Sequence, residues 1–283
     1  ALDGLTIACP FLARGLGLGR LATSLLRLST GYSRPMRQIA ITQSKGGVGK
    51  TTTAVNLAAG LAAEGETVLL VDTDTQGQAA RALGLSPSSG LAELISGDAQ
   101  AAEAVVEARE RLYLLAGGQK LGGIQREIAR RDYGSESVLA EALAVFAGRV
   151  SYVILDTGPG WDSLLVNVLF YADELLCPVN LEGLSIAGLL DFYQRLQSIR
   201  QYRQGLDKYY ILPTALDRRI SQSSEILEQL QAHFSERLLE PIPYNVRLSE
   251  AAARGLTIWE YAPSSTGAIA YSRLTESIMA QGE

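Results

Sequence analysis

The residues best suited to chemistry lie in one run, Lys45-Gly46-Gly47-Val48-Gly49-Lys50-Thr51-Thr52, and in three aspartates, Asp72, Asp74 and Asp156. The run joins a short strand-like stretch, Ile39-Ala40-Ile41-Thr42, to an Ala-rich helical stretch from Thr52 onward. A glycine-rich turn between a strand and a helix N-terminus aims backbone N–H groups and the helix dipole at an anion, which makes it a phosphate-binding loop. The amides of Gly46 through Lys50 would cradle phosphate oxygens, and Lys50 would reach the β- and γ-phosphates of a nucleotide. The Thr51 hydroxyl would ligate Mg2+, and Thr52 would donate toward the α-phosphate. The general pattern G-x-x-x-x-G-K-S/T fails at its first position, where Ser44 stands, and a second lysine, Lys45, follows the failure. Asp156 ends an apolar run and suits a carboxylate that holds Mg2+ through water. Asp72 and Asp74 are separated by one residue and share a side of an extended strand end. One of the two would support the Mg2+ waters while the other orients an attacking water.

These groups need a frame that brings them together. Thr67-Val68-Leu69-Leu70-Val71 and Ser151-Tyr152-Val153-Ile154-Leu155 are nearly continuously apolar, as strands buried on both faces are, and each delivers aspartate at its end. Further strands are expected at Leu112–Leu115, Glu174–Val179, Tyr209–Leu212 and around Leu239–Ile242. Helical stretches separate them: Thr52–Ala63 with a stop at Glu64-Gly65, residues 78–110 interrupted by Pro87-Ser88-Ser89-Gly90, and the charged stretch 119–149. This alternation predicts an α/β fold, a doubly wound and mostly parallel sheet with helices on both faces, whose ligands sit at the carboxyl ends of the strands.

The chain has 283 residues, 47% hydrophobic and 19% charged, with a formal net charge of −5, which excludes a protein coated in basic surface but allows a local patch of arginines. Two cysteines, Cys9 and Cys177, stand far apart without a CxxC pair, so neither a disulfide framework nor a zinc site is expected, and a reducing cytoplasm fits. No apolar run reaches the roughly 18 residues of a spanning helix. Residues 36–283 read as a single domain. Residues 1–35 read as a leader or arm, either non-native upstream of Met36, flexible, or an amphipathic anchor built on Leu21, Leu25 and Leu28.

Three segments together resemble the ParA/MinD family of deviant Walker ATPases: Lys45–Thr52, Val71-Asp72-Thr73-Asp74-Thr75-Gln76-Gly77, and Pro241-Ile242-Pro243-Tyr244-Asn245-Val246-Arg247-Leu248-Ser249-Glu250-Ala251. The likeness extends from Gln38 to about Ser277 and is closest to the ParA (Soj-like) branch. It implies ATP and Mg2+ as ligands and an ATP-sandwich homodimer in which Lys45 reaches the partner's phosphates. It also implies Asp74 as the water-positioning group, leaving Asp72 with Thr51 and Asp156 at the Mg2+, and Pro243 and Asn245 at the adenine. Two family prolines are absent: Thr75 and Gly158 take their places in segments that should sense the γ-phosphate.

The same resemblance implies non-specific DNA binding by the ATP dimer, through Arg219 and Arg247 with help from Arg218. A competing reading pairs these arginines with Asp217 and Glu250 on a solvated face. The expected function is ATP-dependent partitioning of a plasmid or chromosome in the cytoplasm, on the nucleoid, with release by a ParB-like or cargo adaptor. The alternatives are positioning of a protein cargo, or a MinD-like membrane-associated regulator. The polar C-terminal stretch Tyr271–Gln281 argues against stable membrane association.

Overall fold

A computed structural model describes residues 35–182, 185–203 and 205–282. The leader expected at 1–35 therefore lies outside the described residues, apart from Pro35. Seven strands form one sheet: β1 (Arg37–Ile41), β2 (Val68–Asp72), β3 (Val105–Arg109), β4 (Leu112–Leu115), β5 (Tyr152–Asp156), β6 (Glu174–Asn180) and β7 (Lys208–Thr214). Their order is β3-β4-β2-β5-β1-β6-β7, parallel throughout except for the β3–β4 pair. The continuously apolar runs became the central strands: all five residues of β2 and of β5 are buried. Such strands must be covered on both faces. The helices Lys50–Ala63 and Thr266–Ala280 cover one face, and the other is covered by Leu121–Ile128, Val138–Leu143, Ser163–Tyr171 and Ser185–Arg200.

Register decides where the chemistry falls. Asp156 pairs with Ile41 on one side and with Asp72 on the other, so the two aspartates end adjacent strands at one level, beside the loop that leaves β1. Thr73 strengthens that level, donating both its amide and its hydroxyl to the Asp156 carbonyl at 2.9 and 2.8 Å.

The C-terminal helix Thr266–Ala280 spends its apolar face, Tyr271, Leu274 and Ile278, on the core. The Tyr271 hydroxyl lies 3.1 Å from that of Thr53 on the helix Lys50–Ala63. Gly60 allows this close approach, since a Cβ there would run into the Thr275 side chain. The expected helix 52–63 thus forms, beginning two residues earlier at Lys50.

Two expectations need correction. The stretch 78–110, expected to be helical, ends in β3, a short antiparallel edge strand. Val105-Val106 start it, and Arg111, at φ 60°, turns the chain straight back into β4. A residue pattern read as Ala-rich helix was outvoted by the pairing offered by β4. The strand expected near Leu239–Ile242 forms no ladder; only isolated bridges, Ile211 with Leu238 and Leu216 with Pro243, follow the edge of β7. Pro241 and Pro243 lack the N–H groups a regular strand would use.

Candidate nucleotide and magnesium site

The loop after β1 has the backbone its glycines permit. Gly47 (φ 73°) and Gly49 (φ 91°) occupy the left-handed region, where a side chain costs about 1–2 kcal/mol. Gly49 is the N-cap of the helix Lys50–Ala63 without any side-chain cap, so the first amides of that helix face the loop's concavity. Three bonds fix the loop to neighbouring strand ends. The Thr214 hydroxyl donates to the Val48 carbonyl at 2.9 Å, the Gly160 amide to the Ser44 carbonyl at 2.9 Å, and the Ser44 amide to Gln43 Oε1 at 2.7 Å. A cradle held from the ends of β1, β5 and β7 needs little reorganisation to receive an anion.

The two lysines are disposed differently. Lys50 is 7% exposed and curls over the loop, its Nζ donating to the Lys45 carbonyl at 3.0 Å. Burial lowers its pKa, against the charges of Asp156 and Asp74. Lys45 points instead toward the end of β6, where its Nζ donates to Asn180 Oδ1 at 3.2 Å, and Asn180 in turn donates to Glu182 at 2.8 Å.

The three aspartates lie together at the strand ends. Asp156 is fully buried, and neither carboxylate oxygen has a hydrogen-bond partner, although Thr51, Lys50, Asp72 and Asp74 all act on its charge. Burial, and then the neighbouring charge of Asp72, raises its pKa well above the ordinary carboxylate value. Asp72 is differently satisfied: Oδ1 accepts the Asp74 amide at 2.9 Å and Oδ2 the Ala79 amide at 3.0 Å, while burial pushes its pKa up to about 7. It thereby ties the turn after β2 to the helix Gln78–Ala82. Asp74 is 7% exposed, with Oδ1 accepting the Gln76 amide at 2.9 Å.

Unpartnered, fully buried carboxylate oxygens close to the Thr51 hydroxyl are hard oxygen ligands of the kind a divalent cation satisfies. Among the described residues no cluster of three or more His, Cys, Asp or Glu side chains is arranged to hold a metal unaided. Mg2+ keeps several waters and takes one or two protein oxygens together with substrate phosphates.

The residues expected at the adenine have other contacts here. Asn245 caps the helix Val246–Ala253, accepting the Arg247 amide at 2.9 Å, and donates to Thr266 at 2.9 Å. Pro243, with Leu216, Arg218 and Thr266, lines a cavity of about 820 Å3 at the β7 edge. A second cavity, about 300 Å3, adjoins the phosphate loop at Thr51 and Thr52 and is lined also by Arg81 and Leu248.

Arg218 and Arg219 lie in the turn after β7 and Arg247 on the helix Val246–Ala253, and all three are exposed. Arg219 makes a two-point pair with Asp217 (2.9 and 2.7 Å), and Arg247 pairs with Glu250 (2.8 Å). Both local carboxylates named in the competing reading are thus in contact, but exposed pairs of this kind are worth only about 0–1 kcal/mol and exchange readily for a phosphate. Asn180, Thr214, Gly117 and Gly118 were missed by the sequence reading. The first two share one legible signal, a polar residue at the carboxyl end of a strand, whereas the glycine pair becomes meaningful only once it is seen against Asp74.

The profile of a family described as AAA domain matches residues 36–208. The chromosome-partitioning ATPase Soj of Thermus thermophilus is 39% identical over 248 residues, covering 87% of this chain and 96% of that protein. The chromosome partitioning protein ParA of Caulobacter vibrioides is 33% identical over 258 residues, covering 88% and 96%. Among solved structures, cobyrinic acid a,c-diamide synthase from Mycobacterium smegmatis, with bound ADP and magnesium, superposes with a TM-score of 0.73 at 29% identity, covering 87% of this chain and 95% of that one. With a phosphate loop held at three strand ends, paired aspartates beside it and this likeness over nearly the whole length of its relatives, the chain belongs to the ParA/Soj family of P-loop ATPases.

Proposed function

We propose that this ATPase is a DNA-partitioning switch: ATP with Mg2+ builds a homodimer that holds DNA without sequence preference, and hydrolysis stimulated by an adaptor protein releases it. The observation that carries the reading is the near full-length likeness to chromosome-partitioning ATPases, joined to a site whose phosphate loop, Lys50 and aspartates are in place. Mg2+, when bound, would supply charge neutralisation to the nucleotide phosphates. The chain's own groups do the rest. The loop amides and Lys50 hold the phosphates, Thr51 and Asp156 hold the metal, and Asp72 fixes the turn that carries Asp74. Asp74 orients the attacking water. Phosphoryl transfer asks for placement and charge rather than covalent chemistry, which is what such a rigid cradle provides.

Lys45 serves the partner subunit in this reading. Its bond to Asn180 is 3.2 Å long, and a phosphate oxygen would replace it with a stronger charge-assisted bond. Arg219, Arg247 and Arg218 face DNA, and the dimer doubles each contact. A MinD-like membrane role is less favoured, because the C-terminal helix buries its apolar face against the core.

The deciding experiment measures protein retained on DNA at low salt with ATP, with ADP and without nucleotide, in parallel with sedimentation. ATP alone should give the dimer and retention, and Lys45→Ala should lose both dimer and turnover. Equal retention in all three states, or normal turnover by Lys45→Ala, refutes the proposal.

A further inference from the structure

We propose that Gly158 is a positioning residue for hydrolysis, because the Asp74 carboxylate sits against the space that a side chain at position 158 would fill. This rests on the reading of Asp74 as the group that orients the attacking water. A Cβ placed on Gly158 would lie 3.2 Å from Asp74 Oδ1 and 3.3 Å from its Cγ, a few tenths of an ångström inside comfortable contact. Gly158 does not have a positive φ, so alanine is acceptable to the backbone there and the conflict is with Asp74 alone.

The other walls of this seat cannot yield. Gly117 lies against the backbone of the same turn: a Cβ there would come within 2.6 Å of the Asp74 carbonyl and 2.7 Å of Asp72 Oδ1. The Asp74 carbonyl accepts the amides of Gly77 (3.1 Å) and Gly118 (3.0 Å), and its own amide is bound to Asp72 at 2.9 Å. The segment bearing Gly158 is equally held, by the Thr157 hydroxyl on the Ile41 carbonyl (3.0 Å) and the Gly160 amide on the Ser44 carbonyl (2.9 Å). With both backbones fixed, a methyl group at 158 displaces the free end of Asp74. That moves Oδ1 off the Gln76 amide, which is the bond that fixes how the carboxylate is turned. The seat therefore joins the turn after β5 to the turn after β2 through one side chain, so the length of that contact sets where the water-orienting group stands.

A displacement of a few tenths of an ångström should slow turnover about three- to tenfold, given that about 1 Å of misplacement can cost about a hundredfold. The test compares Gly158→Ala, Asp74→Ala and the double variant. Turnover and KM for ATP are measured, together with amide hydrogen exchange at Gln76 in the nucleotide-free protein and the melting temperature. The proposal expects Gly158→Ala to lower kcat with KM within twofold, to speed exchange at Gln76 while β2 and β5 stay protected, and to add no loss once Asp74 is alanine. Should Gly158→Ala fail to fold, the double variant, which removes the Asp74 carboxylate that the new Cβ would meet, should fold, and failure of both overturns the proposal. Unchanged Gln76 exchange overturns the proposal, even with slower turnover, because the loss would then bypass the seat. Full turnover by Asp74→Ala overturns the reading of Asp74 and this proposal with it. Loss in Asp74→Ala beside normal turnover in Gly158→Ala overturns the proposal alone.

Discussion

Asp156→Asn should make the nucleotide-free protein more stable while removing its ability to use Mg2+. The carboxylate is fully buried, neither oxygen has a hydrogen-bond partner, and Asp72 and Asp74 stand nearby with like charge. A buried polar group left unsatisfied costs about 1–3 kcal/mol. Asparagine keeps the shape, carries no charge, and offers two N–H donors to a neighbourhood rich in carboxylate acceptors. At about 2–4 °C per kcal/mol for a chain of this size, the melting temperature should rise by roughly 2–12 °C. The pH dependence has a definite sign. The folded state raises the pKa of Asp156 above 3.8, so the wild type loses stability as pH climbs from that value, and the advantage of the variant grows over the same window. It should be smaller at pH 5 than at pH 7.5. Melting in the presence of EDTA reads the stability, and addition of ATP with Mg2+ should then stabilise wild type but not the variant. A variant that melts at or below the wild-type temperature, or whose gain shrinks as pH rises, would refute the idea that this site is held open against the fold's own preference.

Two further predictions concern groups at different levels of the structure. Replacing Arg219 and Arg247 with alanine should weaken DNA retention and flatten the log–log salt dependence by about 3 to 4 for a dimer with four such contacts, at about 0.9 per phosphate, with nucleotide affinity unchanged. An unaltered slope in a titration from low to moderate salt would remove both residues from the interface. Cys177 is buried in β6 and burial pushes its thiol up to about 12, so at pH 8 only about one molecule in ten thousand carries the thiolate. Iodoacetamide should leave the peptide containing Cys177 unmodified in the native protein and modify it fully in denaturant, as read by mass spectrometry; rapid native labelling would contradict that burial.

The sequence alone was enough for the elements whose signal is local. A continuously apolar run must be a strand covered on both faces, so β2 and β5 and their terminal aspartates were legible before any coordinates. The glycines of the phosphate loop were legible for the same kind of reason, since Gly47 and Gly49 adopt dihedrals that other residues avoid. β3 and the irregular edge at Leu238–Pro243 were not. Edge strands take their conformation from the neighbour that pairs with them, and Val105–Arg109 has no strong preference apart from β4. Residue types also led to the expectation that Asp72, Asp74 and Asp156 would lie together beside the loop after β1, but not how their contacts would differ. Asp72 is occupied by two backbone amides, Asp156 has none, and Asp74 is turned by Gln76. That division depends on strand register and on loops arriving from β4 and β5, which no local pattern encodes. The Gly158 departure likewise read only as a missing proline in a segment expected to sense the γ-phosphate. Sequence determines which groups are present and which backbone each can adopt; the packing of distant turns decides which oxygen remains free, and the chemistry is in the free oxygen.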